Sequence, residues 1–433
     1  MRTKTLTKIN DYWDKETIKD IRVKSDIGRY RVRGYGAFRR LPSFDDLTFA
    51  FDPQSLHKVG PVEHRVNMRT ELGARYAQRP IVNDIPVSIS AMSYGALSKS
   101  CKVAMARGAA LMGTSTNTGE GGMLPEERDA AKYLIYQITP GRYGFSIHDL
   151  RRADAVEFYI SQGAKPGLGG QLMASKVTDE LARIRQIPKG IDLRSPSRHP
   201  DILGADDLVI KIEELRVATD WQIPISLKIG AGHMRHDIKI AVKDQVDMVA
   251  IDGLQGGTGA APEVVLENIG IPSLAAITSA IDGVLEMRRR EDISLMLMGG
   301  IKDGVDAAKA LALGADGVAI GTAAIIAGTC IACIQCHSNK CPTGITTHKP
   351  DLEARYEIDR NAQWVATFLQ NMVREIAAIT FALGKDDCHD LTREDLRAIT
   401  PDASAITGIP MLGTNVIYDP DYINQSLSSP VLE

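Results

Sequence analysis

The densest group of chemically reactive side chains in this 433-residue sequence is a run of four cysteines within twelve residues. The spacing is C-x2-C-x2-C-x4-C, and a proline follows the last cysteine directly. Thiolates held this close repel one another unless bound cations neutralise them, so the run indicates a metal or cluster site. The members of the run are Cys330, Cys333, Cys336 and Cys341.

Two kinds of centre fit this spacing. An iron–sulfur cluster is commonly wrapped by one loop with short intervals, as in the bacterial ferredoxin pattern. Structural zinc is the alternative, although zinc sites usually pair two separated CxxC units. The remaining cysteines, Cys101 and Cys388, stand alone, which is unlike the disulfide framework of a small secreted domain. We therefore predict an iron–sulfur cluster, with zinc as the alternative.

The overall composition excludes several classes of protein. The chain is 44% apolar and 24% charged, with a net charge of −3. This near balance argues against nucleic acid or an anionic membrane as the main partner. No stretch approaches the roughly 20 consecutive apolar residues of a membrane helix, and the first residues lack the apolar core of a signal peptide. We therefore expect a cytoplasmic protein.

Short apolar runs alternate with amphipathic stretches from about residue 85 to 327. Most runs are continuously apolar, as parallel strands are when both faces are buried. Eight strands, each followed by a helix, predict an α/β fold of the closed (β/α)8 barrel type rather than an open sheet. The predicted strands span 85–90, 113–117, 133–138, 155–160, 224–229, 247–252, 294–299 and 317–322, and the predicted helices include 97–112, 206–218, 273–289 and 303–313.

The barrel prediction divides the chain into three regions. They are an N-terminal extension at 1–80, the barrel at 81–348 with the cysteine loop at 330–341, and a C-terminal region at 349–433. We expect the C-terminal region to be helical over 350–398 and irregular afterwards. The stretch 161–205 is too long for an ordinary connection, so we interpret it as an active-site insertion with a helix at about 176–186.

Glycines follow two of the predicted strands where this fold usually binds phosphate. The loops after strands seven and eight hold the Gly299–Gly300 and Gly321–Thr322 pairs. Their exposed N–H groups, with the helix that begins near Asp303 or Ala323, would hold a phosphate dianion. Each pair alone is also what a tight strand-to-helix turn requires. A phosphate site by itself does not distinguish a flavin from a phosphorylated substrate.

Several separated motifs carry a resemblance to a known family. In chain order they are AMSYGALS, NTGEGG, GRYG, QGAKPGLGGQL, SLKIGAG, GGTGAAP, GGIKDG, GADGVAIGTAAI and CHSNKCPTGITT. They lie between about Ala91 and Gly384, some two-thirds of the chain. The sequence resembles the FMN-binding synthase domain of glutamate synthase, in its archaeal-type or split form. It is also similar to the barrel subunit of methylamine–glutamate N-methyltransferase.

The resemblance implies two cofactors, FMN and an iron–sulfur cluster. In that family a C-x5-C-x4-C pattern binds a [3Fe-4S] cluster, and Cys330, Cys336 and Cys341 match it. Cys333 is additional, either as a bystander thiol or as the fourth ligand of a [4Fe-4S] cluster. A lysine near the flavin would stabilise its anionic reduced ring. The positions that correspond to the family's FMN contacts are Met92, Ser93, Lys228, Gly299, Gly300, Gly321 and Thr322.

The resemblance also implies 2-oxoglutarate as the substrate acid. The matching residues, given the catalytic and substrate-binding role by resemblance, are Glu120, Lys165, Gln171 and Arg185. Arg185 matches by spacing alone, and a solvated position on a charged helix face is its alternative. A lysine expected six residues before Lys165 is Tyr159 here, and a His-Asp pair of the bacterial enzyme is Leu254–Gln255.

The implied function is that of a glutamate synthase-like oxidoreductase subunit acting on CH-NH2 donors. FMN would deliver hydride in the reductive amination of 2-oxoglutarate to L-glutamate, and the cluster would relay single electrons. The implied partners are a separate glutaminase, a Gly-rich β-helical subunit, and ferredoxin or another redox subunit. Two alternatives remain open: a methylamine–glutamate N-methyltransferase subunit, and a non-catalytic flavin and iron–sulfur electron-transfer subunit of a larger complex.

Overall fold

The computed structural model describes residues 9–51 and 66–419. Eight parallel strands form one sheet, which confirms the predicted (β/α)8 barrel. Each strand from the second to the seventh pairs with the next one along the chain, and the eighth pairs with the first. All eight lie where the sequence predicts strands. In chain order, β1–β8 span Val87–Ile89, Ser115–Asn117, Tyr133–Ile138, Ala155–Tyr159, Ile225–Gly230, Met248–Asp252, Ser294–Met298 and Gly317–Ile320.

The barrel is nearly closed, because β1 and β2 meet without a backbone ladder between them. Each of these two strands has three residues, and small polar side chains make the connection instead. Thr114 Oγ1 donates to the Val87 carbonyl oxygen at 2.7 Å, and the hydroxyl oxygens of Ser88 and Ser115 are 2.9 Å apart. Asn83 Nδ2 donates to Ser88 Oγ at 3.1 Å. Side-chain hydrogen bonds therefore replace the missing ladder.

Helices surround the barrel. Four of them, the second, sixth, ninth and tenth in chain order, lie at the positions predicted from the sequence, 97–112, 206–218, 273–289 and 303–313. No helix of the described residues is both long enough and apolar enough to cross a membrane. In chain order, α1–α14 span Lys15–Ile27, Lys99–Leu111, Pro125–Ala130, Ile147–Arg152, Asp179–Arg185, Ala205–Ala218, Met234–Lys243, Glu263–Asn268, Ser273–Glu286, Gly304–Ala312, Thr322–Ala327, Pro350–Glu353, Ile358–Ala382 and Pro401–Thr407.

The interior of the barrel is filled from one end. A hairpin of two short antiparallel strands, Thr70–Leu72 and Ile81–Asn83, lies before β1 and covers the N-terminal ends of the strands. Its apolar side chains pack against small and unbranched residues that point inward from the strands. This interior cluster consists of Leu72, Ile81, Ala155, Met248, Ala250, Met296, Met298 and Ala319. The packing leaves the opposite, C-terminal end of the barrel to the loops.

The insertion between β4 and β5 contains α5, where the sequence predicts a helix, a 3-10 turn at Ala174–Lys176 and one pair of short strands. This is an antiparallel pair formed by Gln171–Leu172 and Leu193–Arg194. Near the N-terminus, Val32–Arg33 pairs antiparallel with Ala261–Pro262 in the loop after β6. We call residues 31–38 the N-terminal strap, because they cross the C-terminal end of the barrel.

The C-terminal region departs from the prediction in two places. The helical stretch ends with α13 at Ala382, and Leu396–Ala398 forms a strand paired with Leu47–Phe49. Helix α14 lies in a stretch that we expected to be irregular. Its signals are present in the sequence, because Thr400 caps its N-terminus and Gly408 ends it with a φ of 66°. Residues 1–8, 52–65 and 420–433 of the predicted terminal regions lie outside the described residues.

A buried ion pair connects α6 to the start of β6. Arg216 Nη1 lies 3.1 Å from Asp247 Oδ2, and both side chains are shielded from solvent. The Asp247 carboxylate also accepts the backbone N–H groups of Ile225 at 2.7 Å and Tyr76 at 3.0 Å. Burial raises the pKa of Asp247, and the Arg216 charge opposes that shift. The pair therefore fixes where two neighbouring strands begin.

We expect Asp247→Ala to lower the free energy of unfolding by about 3–5 kcal/mol, since it leaves the Arg216 charge buried without a partner. Urea denaturation followed by circular dichroism measures this loss. The control is Glu357→Ala, which removes an exposed ion pair of 2.7 Å with Arg360 and should cost less than about 1 kcal/mol. Equal losses in the two variants would contradict the structural role given to Asp247.

Candidate functional site

A cavity of about 1080 Å³ lies at the C-terminal end of the barrel. The loops after seven of the eight strands line it, β5 contributes Lys228 from within the strand, and the insertion and the N-terminal strap complete its wall. The structure thus brings together the residues predicted for flavin and for substrate, with one cysteine of the predicted cluster. The predicted residues that line the cavity are Met92, Ser93, Glu120, Lys165, Gln171, Arg185, Lys228, Gly299, Gly300, Gly321, Thr322 and Cys336.

The glycines after β7 adopt a backbone conformation that other residues disfavour. Gly299 and Gly300 have φ values of 100° and 83°. A Cβ atom on Gly299 would lie 2.7 Å from the Gly253 carbonyl oxygen, so the two loops approach too closely for a side chain. Backbone without side chains therefore faces the cavity here, so that a phosphate group can approach the N–H groups closely.

The two helices that follow these loops differ at their first turns. At α10 the Asp303 side chain accepts the N–H of Asp306 at 2.8 Å, and Glu375 accepts the N–H of Gly304 at 2.6 Å. At α11 the capping residue is Gly321, which has no side chain to occupy the free N–H groups. Of the two helices considered from sequence, α11 is therefore the one with free N–H groups beside the cavity.

A buried lysine that sequence reasoning missed connects the loops after β1 and β2. Lys102 Nζ donates to the carbonyl oxygens of Met92, of Asn117 at 2.9 Å and of Thr118 at 3.1 Å. It also lies 2.7 Å from the buried carboxylate of Glu127, whose pKa is raised by burial against the opposing effect of Lys102. The signal in the sequence was a lysine within the otherwise apolar face of α2. Met92, a predicted flavin contact, is held by this lysine.

Arg185 is buried in α5, so its alternative position on a solvated helix face is wrong. Its Nε and Nη2 donate to the Tyr94 carbonyl oxygen at 3.0 and 2.7 Å, and Nη2 donates to the Glu120 carbonyl oxygen at 3.1 Å. A Cβ atom at Gly121 would lie 2.5 Å from Arg185 Nε. The guanidinium therefore holds the insertion against the two loops that carry Ser93 and Glu120.

Lys165 is the buried cation that faces the cavity without a partner. Its side chain is 8% exposed, and among the described residues its Nζ makes no hydrogen bond or ion pair. Burial lowers its pKa, Glu120 opposes that shift, and the charges of Arg185 and Lys228 add to it. A desolvated, unpaired ammonium group next to further cations favours an anionic ligand.

The other polar groups of the cavity are held by neighbours. Glu120 Oε1 accepts from Thr139 Oγ1 at 3.3 Å and from Ser195 Oγ at 2.5 Å. Lys228 Nζ, at the end of β5, lies 3.6 Å from Asp252 Oδ2 at the end of β6. Gln171 is exposed on the insertion hairpin. Among the buried charges that line the cavity, these contacts leave that of Lys165 as the least compensated.

An imidazole supports Tyr159, the position where the resemblance leads us to expect a lysine. Arg142 Nη1 lies 2.8 Å from His199 Nδ1, and because arginine can only donate, Nε2 carries the proton and donates to the Tyr159 carbonyl oxygen at 2.6 Å. The imidazole stacks on Phe158 with a centroid distance of 4.1 Å. Burial lowers the pKa of His199 to about 4. His199 is therefore a neutral support for the end of β4.

The backbone of the cysteine loop has an unusual conformation. Thr329, Ala332, Ile334 and Asn339 have φ values of 75°, 54°, 57° and 58°. Residues other than glycine seldom adopt this left-handed conformation. Alternation of right- and left-handed residues turns backbone N–H groups into a concave surface, as found around phosphates and iron–sulfur clusters.

In the described part of the chain, the thiols of the cysteine loop do not form a group close enough to share one ion. Four sulfurs bound to one zinc would lie within about 4 Å of one another, given Zn–S bonds of about 2.3 Å. Among the described residues, the groups close enough to share one ion are those of Asp387, Cys388 and His389, and not those of the cysteine loop. The iron–sulfur cluster and its zinc alternative therefore both stay predictions from the sequence.

Polar groups from distant parts of the chain surround this loop. Lys176 Nζ donates to the Cys336 carbonyl oxygen at 3.2 Å and to the Ala96 carbonyl oxygen at 3.1 Å, and burial lowers its pKa to about 8. Burial acts to raise the pKa of Cys341, but hydrogen bonds with Thr343 and Thr346 lower it. The surroundings therefore stabilise negative charge on this sulfur. Lys176 links the cysteine loop to the loop after β1.

Comparison with solved structures shows the fold class of the chain. It is similar to a flavocytochrome b2 mutant with pyruvate bound, with a TM-score of 0.55 and 15% sequence identity, over 92% of this chain and 87% of that one. At this identity the similarity shows the fold alone, a (β/α)8 barrel.

Sequence comparison defines the family. Residues 61–386 match the family model described as "Conserved region in glutamate synthase". A "Glutamate synthase large subunit-like protein" of Rhizobium meliloti (strain 1021) is 43% identical over 419 residues, 93% of this chain and 95% of that protein. An "Archaeal-type glutamate synthase" (NADPH) of Thermotoga neapolitana is 35% identical over 410 residues, 90% of this chain and 81% of that protein.

The chain belongs to the glutamate synthase family and is a glutamate synthase-like oxidoreductase, as the sequence motifs predicted. These relatives do not favour the two alternatives, the N-methyltransferase subunit and the non-catalytic electron-transfer subunit.

The neutral state of His199 makes stability depend on pH. An unfolded chain takes up a proton near the ordinary imidazole pKa of 6.5, whereas the folded protein resists protonation until about 4. Stability is therefore full above about pH 6.5 and falls as the pH drops towards 4. We expect His199→Gln to weaken this dependence, with His348, whose pKa is also lowered to about 4, retaining part of it.

Denaturant unfolding at pH 7 and pH 5 measures the effect. The control is His236→Gln, which changes an exposed imidazole and should keep the pH dependence of the wild type. An unchanged dependence in His199→Gln would show that His199 is protonated in the folded protein.

Proposed function

We propose that the chain is the FMN-binding subunit that forms L-glutamate by reductive amination of 2-oxoglutarate. The observation that carries the proposal is the content of one cavity: a buried unpaired lysine, bare glycine loops after β7 and β8, and one cysteine of a cluster-type loop. Membership of the glutamate synthase family supports it. The relatives' names state glutamate synthase, and one states NADPH.

The proposed flavin site has a phosphate end and a ring end. Gly299, Gly300, Gly321 and Thr322 would bind the phosphate, because their loops present free backbone N–H groups to the cavity. Met92, Ser93 and Lys228 would contact the ring. FMN, when bound, supplies hydride to a carbon atom, and the Lys228 charge would stabilise the reduced anionic ring.

The proposed acid site lies beside the ring end. Lys165 would pair with a carboxylate of 2-oxoglutarate, which satisfies its unpaired charge, and Gln171 would donate from the insertion hairpin. Glu120, held by Thr139 and Ser195, would orient the amino group or its precursor. Arg185 would act by positioning and by its charge, because its Nε and Nη2 already bind backbone carbonyl oxygens.

For the cysteine loop we propose a [3Fe-4S] cluster bound by Cys330, Cys336 and Cys341, with Cys333 as an additional thiol. The left-handed backbone residues of the loop, which form a concave surface of N–H groups, support this proposal. A cluster of this kind transfers one electron at a time. Cys336 lines the flavin cavity, so electrons would reach the flavin over a short path.

The proposed partners follow from what the reaction consumes. Ammonia would come from a separate glutaminase subunit or from solution, and electrons from ferredoxin or another redox subunit. A Gly-rich β-helical subunit completes the assembly by analogy with the family. A cytoplasmic location also stays a prediction.

The Lys165 assignment predicts a selective loss of substrate binding. Lys165→Met keeps much of the volume but removes the charge, so we expect 2-oxoglutarate binding to weaken about 100-fold, as for other buried charge pairs. Flavin content should not change. Titration of 2-oxoglutarate against the flavin spectrum measures both quantities.

The matched control is Lys132→Met at the opposite end of the barrel, where Lys132 pairs with Asp84. It should bind 2-oxoglutarate as the wild type does. Wild-type affinity in Lys165→Met would remove Lys165 from the acid site, and absence of any spectral change in the wild-type protein would contradict the proposed substrate.

A second prediction concerns the cluster. Serine at Cys330, Cys336 or Cys341 should abolish iron and sulfide binding, whereas Cys333→Ser should keep a three-iron EPR signal after anaerobic purification. Cys388→Ser, which changes a cysteine outside the loop, is the control. Loss of the cluster in Cys333→Ser would instead support four ligands, and a protein with zinc and no flavin would overturn the cofactor assignment.

A further inference from the structure

A tyrosine from the N-terminal strap touches the cysteine loop. Tyr35 Oη lies 3.2 Å from Cys330 Sγ, although the two residues are 295 positions apart in the sequence. The neighbouring Gly34 is also close, since a Cβ atom there would lie 3.6 Å from Cys336 Sγ. Tyr35 lines the cavity as well. It therefore lies between the proposed flavin site and the cysteine loop.

The strap is fixed by Arg33. Its Nη1 donates to the carbonyl oxygens of Gly34 at 3.2 Å and Gly36 at 2.8 Å, on both sides of Tyr35. Its Nη2 pairs with the Glu267 carboxylate of α8. These contacts bind the strap to α8 and fix the backbone on both sides of Tyr35.

The backbone of Tyr35 is held in an unfavourable conformation. Its φ is 67°, in the left-handed region that an aromatic residue seldom adopts. The strap also passes close to the loop after β6, because a Cβ atom on Gly36 would lie 2.3 Å from the Gln255 carbonyl oxygen. Residues in such conformations persist where surrounding contacts enforce them, and they concentrate at functional sites.

We propose that Tyr35 is a positioning residue of the iron–sulfur centre, whose phenol O–H donates a hydrogen bond to the Cys330 sulfur and raises the reduction potential of the cluster. The inference rests on the proposed cluster. A hydrogen bond to a ligand sulfur withdraws negative charge from it and so stabilises the reduced state, which carries more negative charge. The spacing of the cysteines in the sequence does not predict this hydrogen-bond donor to Cys330.

The test is a redox titration of anaerobically purified protein, with the cluster followed by EPR and the flavin by absorbance. We expect Tyr35→Phe to shift the cluster potential to a more negative value and to alter the EPR line shape. The flavin content should be unchanged. Tyr133→Phe makes the same chemical change at the start of β3 and should leave both signals as in the wild type.

Gly36→Ala provides a second variant that keeps the phenol group. Its methyl group would collide with Gln255 and displace the strap, so we expect a shift of the cluster potential in the same direction. If Tyr35→Phe loses its cluster during purification, Gly36→Ala still tests whether the position of Tyr35 affects the cluster potential. In both cases the readout is a potential, which a tyrosine that only fills space would not move.

Two results overturn the inference, and they are distinguishable. An intact cluster with unchanged potential and line shape in both strap variants would exclude the hydrogen bond while leaving the proposed function standing. A wild-type protein without iron and acid-labile sulfide would remove the cluster itself, and with it both the cofactor assignment and the role of Tyr35.

Discussion

Buried cations that donate to backbone carbonyl oxygens hold the loops at the C-terminal end of this barrel. Lys102, Lys176 and Arg185 each lose hydration on burial, and each recovers hydrogen bonds from carbonyl groups in two different loops. Long loops on the edge of a barrel cannot satisfy their own polar groups without such partners. The shape of the cavity depends on these three side chains.

The same arrangement explains why Lys165 differs from the other cations. Lys102 and Lys176 use their donors on the protein, and Lys228 lies near Asp252, but Lys165 keeps its donors for the cavity. Its charge is desolvated in the folded protein and gains most from an anion that enters from outside. The other buried cations just described have partners within the protein, so the charge of Lys165 is the one that a ligand would compensate.

The cysteine loop obtains its environment from three separate parts of the chain. The N-terminal strap contributes Tyr35, the insertion contributes Lys176, and the residues just after the loop supply the threonine contacts to Cys341. Because Cys336 also lines the cavity, the loop and the proposed flavin site share one wall. Packing at this wall couples the position of the cysteines to that of the loops around the cavity.

The sequence by itself determined the barrel, because continuous apolar runs and glycine-rich turns are local signals of buried parallel strands. It also identified the cysteine run and the motifs that line the cavity. Only the tertiary structure decided what Lys102, Arg185 and Tyr35 contact. A charged stretch of sequence does not distinguish a buried arginine from a solvated one. A contact between residues 295 positions apart cannot be predicted from the residues next to either of them. Desolvation and close approach of distant backbone segments are properties of the packed molecule.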